Sequence, residues 1–347
     1  MKTKYVFLIT AFLFPVIFLG ASSATTTITN GIYTVYVDDT GTDIGTYSVS
    51  TGENHTTPNT NILYDDETVQ TSYLTVRDIT DDQNPIDYTS QSFNPHPSGQ
   101  RDLDDYNPVV TQVSPTQVNV TWNVTEYRAF DVLQVIRIMG TTIDDSRVQV
   151  ITAIYSRYFL PTVFEVRYLW DLNIAENDGP ELAALTPEGP WLTNEATGTP
   201  DPFRTWKSTN NPTTTPLTVY GGFLTTNYLS SIMFADYEDS SDSPFTYTTD
   251  PNRQIADPDD NYDSALLLYW TGLIIPSGGA LNVNAYLYAA TTYNPVNPNS
   301  TTNTSAAAAT STANHGIITM QNTGMPIAGI ILAVLILMGG LLTARRK

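Results

Sequence analysis

Between Thr25 and Thr292 apolar residues alternate with polar ones or gather in short runs, and no stretch keeps a helical period. Gln117–Tyr127 is the clearest case. Val118, Val120, Trp122 and Val124 fall on one side, and Asn119, Thr121, Asn123 and Thr125 on the other. A period of two with one apolar side is a half-buried strand. Similar strands are predicted at Ile32–Val37, Gly45–Ser50, Ser72–Arg77, Val109–Val113, Asp131–Met139, Arg147–Ile154, Val163–Ile174, Leu217–Tyr220, Leu229–Ala235, Ala265–Gly272 and Leu281–Ala289. Pro-, Gly-, Asn- and Asp-rich turns separate them. The 53 threonines and 21 tyrosines favour strands over helices. About a dozen strands with no linker and no repeat predict one all-β body, a large antiparallel β-sandwich over residues 25–292.

The ends read differently. Residues 1–24 have a basic start, an apolar run and small residues at Ser22 and Ala24, the pattern of a cleaved secretory signal peptide. Residues 293–325 are rich in Thr, Ser, Asn and Pro, a composition that suits a stalk. Residues 326–344 form an apolar run of 19, about 28 Å as a helix, which matches a bilayer core. The basic tail 345–347 places that end in the cytoplasm and the body outside. The expected partner is therefore a membrane, crossed once by a C-terminal transmembrane helix.

Composition removes several function classes. There are 35 acidic and 15 basic residues, and five of the basic ones lie at the two ends. The body is strongly acidic, which excludes a nucleic-acid partner. Without cysteine there is no disulfide, no thiolate zinc site and no cysteine nucleophile. Three scattered histidines, His55, His96 and His315, form no metal pattern. No nucleophile elbow, P-loop or zincin motif occurs.

Three groups of residues remain as candidates. N-glycosylation sequons stand at Asn54, Asn119, Asn123, Asn299 and Asn303. Asp257, Asp259, Asn261 and Asp263 place oxygen ligands at alternate positions, as a calcium loop begins. Tyr262 and Leu268 occupy the glycine and glutamate positions of an EF-hand, so any calcium site is of another type. Asp171, Asp178 and Glu181 lie near Trp170, Trp191 and Trp206, the residue types of a saccharide site. The same residues also suit turn chemistry and core packing.

Two resemblances bear on these expectations. The tail MQNTGMPIAGIILAVLILMGGLLTARRK resembles the C-terminal anchors of archaeal cell-surface proteins, though it lacks an LPxTG motif and a Pro-Gly-Phe lead-in. The run Val166-Arg167-Tyr168-Leu169-Trp170-Asp171, followed by Asn177-Asp178-Gly179-Pro180, resembles secreted prokaryotic supersandwich modules of the galactose-mutarotase-like kind. That resemblance implies a supersandwich fold and carries no activity, because the histidines that mutarotases use have no counterpart here. The expected role is structural or adhesive at the cell surface, with other envelope proteins or glycans as partners. A carbohydrate-binding module and a carbohydrate-active enzyme are the alternatives.

Overall fold

The structure, a computed structural model, describes residues 25–290 except 66–69, 94–97, 127, 185–190, 199–204, 211–216, 224–228 and 257–261. The chain divides into two units, Met1–Ser300 and Thr301–Lys347, and the described residues all belong to the first. The expected signal peptide, stalk, membrane helix and basic tail lie outside them. Among the described residues no helix is long and apolar enough to cross a membrane.

The described residues form two sheets of 11 and 8 strands. Pairing is antiparallel throughout, except that Ile86–Thr89 runs parallel to Gln100–Asp102. The alternation over Gln117–Val124 is realised: Val118, Val120, Trp122 and Val124 are buried, while Thr121 and Asn123 are exposed. Among the described residues, helix is confined to a 3-10 turn at Leu103–Tyr106 and one short helix at Tyr237–Ser241.

Strand Thr162–Leu172 is the centre of the larger sheet. It pairs with Ser264–Ile275 on one side and with Tyr73–Asp78 on the other, and Leu172 also meets Leu63. Phe164, Val166, Tyr168, Trp170 and Leu172 face the core between the sheets. The opposite face is covered as well. Leu169 packs with Tyr73, Ala235, Phe245, Leu267 and Tyr269 in a second apolar cluster. Arg167 is buried there and donates to the Tyr73 hydroxyl (2.5 Å) and to the Ser240 and Phe245 carbonyls. A strand covered on both faces reads as a nearly continuous apolar run, as this one does.

Tryptophans lock the two sheets together. Trp170 of the larger sheet and Trp206 of the smaller meet with ring centroids 6.0 Å apart. Trp206 sits over Gly221, its cross-strand neighbour, where an added Cβ would lie 2.3 Å from the indole. The glycine is therefore required by close approach. Replacing Gly221 with Ala should cost about 1–3 kcal/mol through overpacking. A thermal melt checks this, and an unchanged melting temperature would mean that the indole has room to move.

Candidate metal centre

Three carboxylates converge where the central strand ends. Asp171 is the penultimate residue of Thr162–Leu172, and Asp263 immediately precedes Ser264–Ile275. The register Leu172↔Ser264 places those two segments side by side. Asp178 arrives by a tight turn. Ile174 and Asn177 exchange both backbone hydrogen bonds around Ala175-Glu176, whose φ values are 53° and 70°. Two consecutive positive-φ residues are the geometry of a primed hairpin turn, which usually takes Asn-Gly. Here it is held by Ala and Glu, at a cost of about 1–2 kcal/mol per residue.

The next three residues fix the approach. Asn177 Oδ1 accepts from the Gly179 N–H at 3.0 Å. A Cβ on Gly179 would lie 2.4 Å from the Tyr262 carbonyl oxygen, so only glycine lets the two segments touch. Ser264 N–H then donates to the Asp178 carbonyl at 2.8 Å. The Asn177-Asp178-Gly179 motif thus works as a clamp that sets Asp178 beside Asp263.

One oxygen from each of Asp171, Asp178 and Asp263 lies within 4.8 Å of the others. Asp171 is 3% exposed, and Asp178 and Asp263 are half-buried. Asp171 Oδ1 and Asp263 Oδ1 are buried without a hydrogen-bond partner, as is Asn173 Oδ1 beside them. Asn173 Nδ2 donates to Asp178 Oδ1 at 2.9 Å. Burial pushes the Asp171 carboxyl well above the usual carboxylate range, and the Asp178 charge adds to this. Burial raises Asp263 likewise, reinforced by the charges of Asp171, Asp178 and Asp236.

The donors are all hard oxygens. Calcium takes such ligands at 2.3–2.6 Å, so two ligands of one ion stand at most about 5 Å apart. The observed spread fits that limit. Histidine and thiolate are missing from the set, so the chemistry favours calcium or magnesium over zinc.

Of the expected calcium loop, Asp263 takes part, and Asp257, Asp259 and Asn261 lie outside the described residues. Among the described residues, the acidic groups gathered with it are Asp171 and Asp178. Sequence spacing missed that pairing because a long-range strand register creates it. Of the tryptophans named for a saccharide site or for core packing, two take the core. Trp170 and Trp206 are 0% and 1% exposed in the core, so neither indole offers a face to a sugar. Glu181 pairs opposite Thr209 on another strand and stays outside the carboxylate cluster. Trp191 is half-buried, with the Lys207 ammonium 4.4 Å from its ring centroid. Among the sequons, Asn54 and Asn123 are exposed and Asn119 is half-buried. Asn123 donates to Asp131 at 2.7 Å and accepts from Arg157 at 3.1 Å. Asn299 and Asn303 lie outside the described residues.

No protein-family model matches the sequence, and no curated protein matches it. Among solved structures, the chain is similar to a provisionally named aldose 1-epimerase from Escherichia coli. Identity is 7% and the TM-score 0.48, over 77% of this chain and 99% of that one. It is also similar to a galactose mutarotase-like protein from Lactobacillus casei, at 7% identity and a TM-score of 0.45, over 77% of this chain and 100% of the other.

Raised carboxyl groups set the sign of a pH effect. Their protons stabilise the fold fully below the unfolded value near pH 4, and that stabilisation is lost as pH rises toward the folded values. In chelator, the full-length protein should therefore melt progressively lower from pH 5 to pH 9. Calcium in place of the protons should hold the melting temperature up at pH 8. A tenfold excess over Kd gives about 1.4 kcal/mol, or roughly 3 °C for a domain of this size. Asp263→Asn should remove the calcium response. Identical melts in calcium and chelator at fixed ionic strength would count against the centre.

Proposed function

We propose that this chain is an exported, membrane-anchored and glycosylated protein of the cell envelope. Its β-sandwich is a structural or adhesive module held in shape by one divalent cation, calcium outside the cell. The observation that carries the reading is the convergence of Asp171, Asp178 and Asp263 at a strand end that the core already buries. Extracellular modules bind calcium weakly, with Kd near 10⁻⁴–10⁻³ M, because the ion is abundant there. A chain without cysteine cannot use disulfides for the same purpose. The apolar starts and ends of the sequence, the sequons and the Thr/Ser/Asn/Pro-rich approach to residue 326 support export and anchoring.

Fractionation of the native host tests this. The protein should remain in membranes after an alkaline wash, begin near Thr25, and be shaved from intact cells by protease. Glycopeptides should appear at Asn299 or Asn303. Recovery as a soluble cytoplasmic protein that retains residues 1–24 would overturn the reading.

A further inference from the structure

The outer face of the larger sheet is closed by a strap. Strand Leu229–Asp236 ends there, and the chain passes through the short helix Tyr237–Ser241 and runs to Ala256 in turns and irregular backbone. Phe245 plugs the strap into the sheet. It is 4% exposed, packs in the cluster of Leu169, Leu267 and Tyr269, and has the Arg77 guanidinium 4.2 Å from its ring centroid. Arg167, wholly buried on the central strand, donates to the Ser240 and Phe245 carbonyls of the strap at 3.3 and 3.4 Å. The Tyr269 hydroxyl donates to the Phe245 carbonyl at 2.9 Å. A segment held by a plug and scattered hydrogen bonds opens more readily than the paired strands beneath it.

Both ends of the strap hang from the segment that carries Asp263. The Tyr237 N–H donates to the Asp263 carbonyl at 3.0 Å. The Ser264 hydroxyl donates to the Ile255 carbonyl at 2.5 Å. Tyr237 and Ile255 are far apart in sequence, yet two consecutive residues hold them. Ser264 also ties this junction to the turn that delivers Asp178. Its N–H donates to the Asp178 carbonyl at 2.8 Å, and its hydroxyl reaches the Pro180 carbonyl at 3.2 Å.

The charges at the junction decide whether it holds. Without a cation the Asp171, Asp178 and Asp263 carboxylates repel one another, and Asp236, the N-cap of the short helix, adds its charge to Asp263. Asp171 lies within the paired central strand, and the close approach at Gly179 holds Asp178. Asp263 lies just before its strand and is the least constrained of the three. Repulsion relieved by a shift of Asp263 pulls first on the Tyr237 N–H and the Ile255 carbonyl, while the strand register of the sandwich persists.

We propose that the carboxylate centre is a clasp: a bound divalent cation closes the Tyr237–Ala256 strap over the outer face of the larger sheet, and its loss releases the strap. This rests on the cation reading and goes beyond it, because an ion that only braces the strand end has no coupling to Phe245. The switch has the two parts such a device needs, a local change of charge and an element with two positions. Coupling of this kind is reciprocal, so whatever loosens the strap must weaken the cation.

Two measurements on the full-length protein test this at neutral pH and fixed ionic strength. Hydrogen exchange is followed by mass spectrometry in calcium and in chelator. At a calcium concentration ten times Kd, peptides covering Tyr237–Ala256 should exchange roughly tenfold more slowly than in chelator, while the strand Arg147–Ser156 stays protected in both. Calorimetry then compares calcium binding by the wild type and by Phe245→Ala. Phe245 belongs to none of the cation's ligands, yet its loss should weaken calcium roughly tenfold, because the closed strap becomes the minor state. If Phe245→Ala does not fold, the exchange measurement on the wild type decides alone. No calcium binding by the wild type overturns the cation reading and the clasp together. Calcium binding with unchanged exchange over the strap, or with equal Kd in the variant, overturns the clasp and leaves the cation reading standing.

Discussion

A carboxylate on a strand covered on both faces has no water to turn to. Asp171 holds that position, between the tryptophan-locked core and the Tyr73–Phe245 cluster. An isolated buried charge costs several kcal/mol after relaxation, and two more carboxylates nearby raise that cost. Two states relieve it: protons shared among the three groups, or a cation among them. The turn at Ala175-Glu176 and the close approach at Gly179 hold Asp178 in the cluster, when repulsion alone would push it out. The backbone is strained in the direction that brings like charges together, and strain of that kind persists where the surroundings over-determine it.

The rest of the sandwich, with core tryptophans and paired strands, supplies the rigidity that keeps the charges from separating.

Much of the architecture was readable in the sequence, because strand alternation is a local signal. Val118, Val120, Trp122 and Val124 fall inward as their spacing requires. The Asn177-Asp178-Gly179 motif was visible, though its role was not, since that depends on Tyr262 arriving across the sheet. The tryptophans left two readings open for a physical reason. Trp170 lies in a run that is buried on both faces, where the period of two no longer separates inside from outside. Short polar strands such as Thr205–Thr209 carry too few apolar residues to announce themselves, so the placement of Trp206 and Lys207 was hidden.

The central claim is that a cation replaces protons at Asp171, Asp178 and Asp263. Titration calorimetry with calcium at pH 7, repeated in two buffers of different ionisation enthalpy, addresses it directly. The account expects one calcium per chain with Kd in the range of extracellular modules. Because burial holds the Asp171 and Asp263 carboxyls protonated above the usual range, protons should be released on binding, seen as a difference in heat between the buffers. No calcium uptake at millimolar concentration would contradict the account.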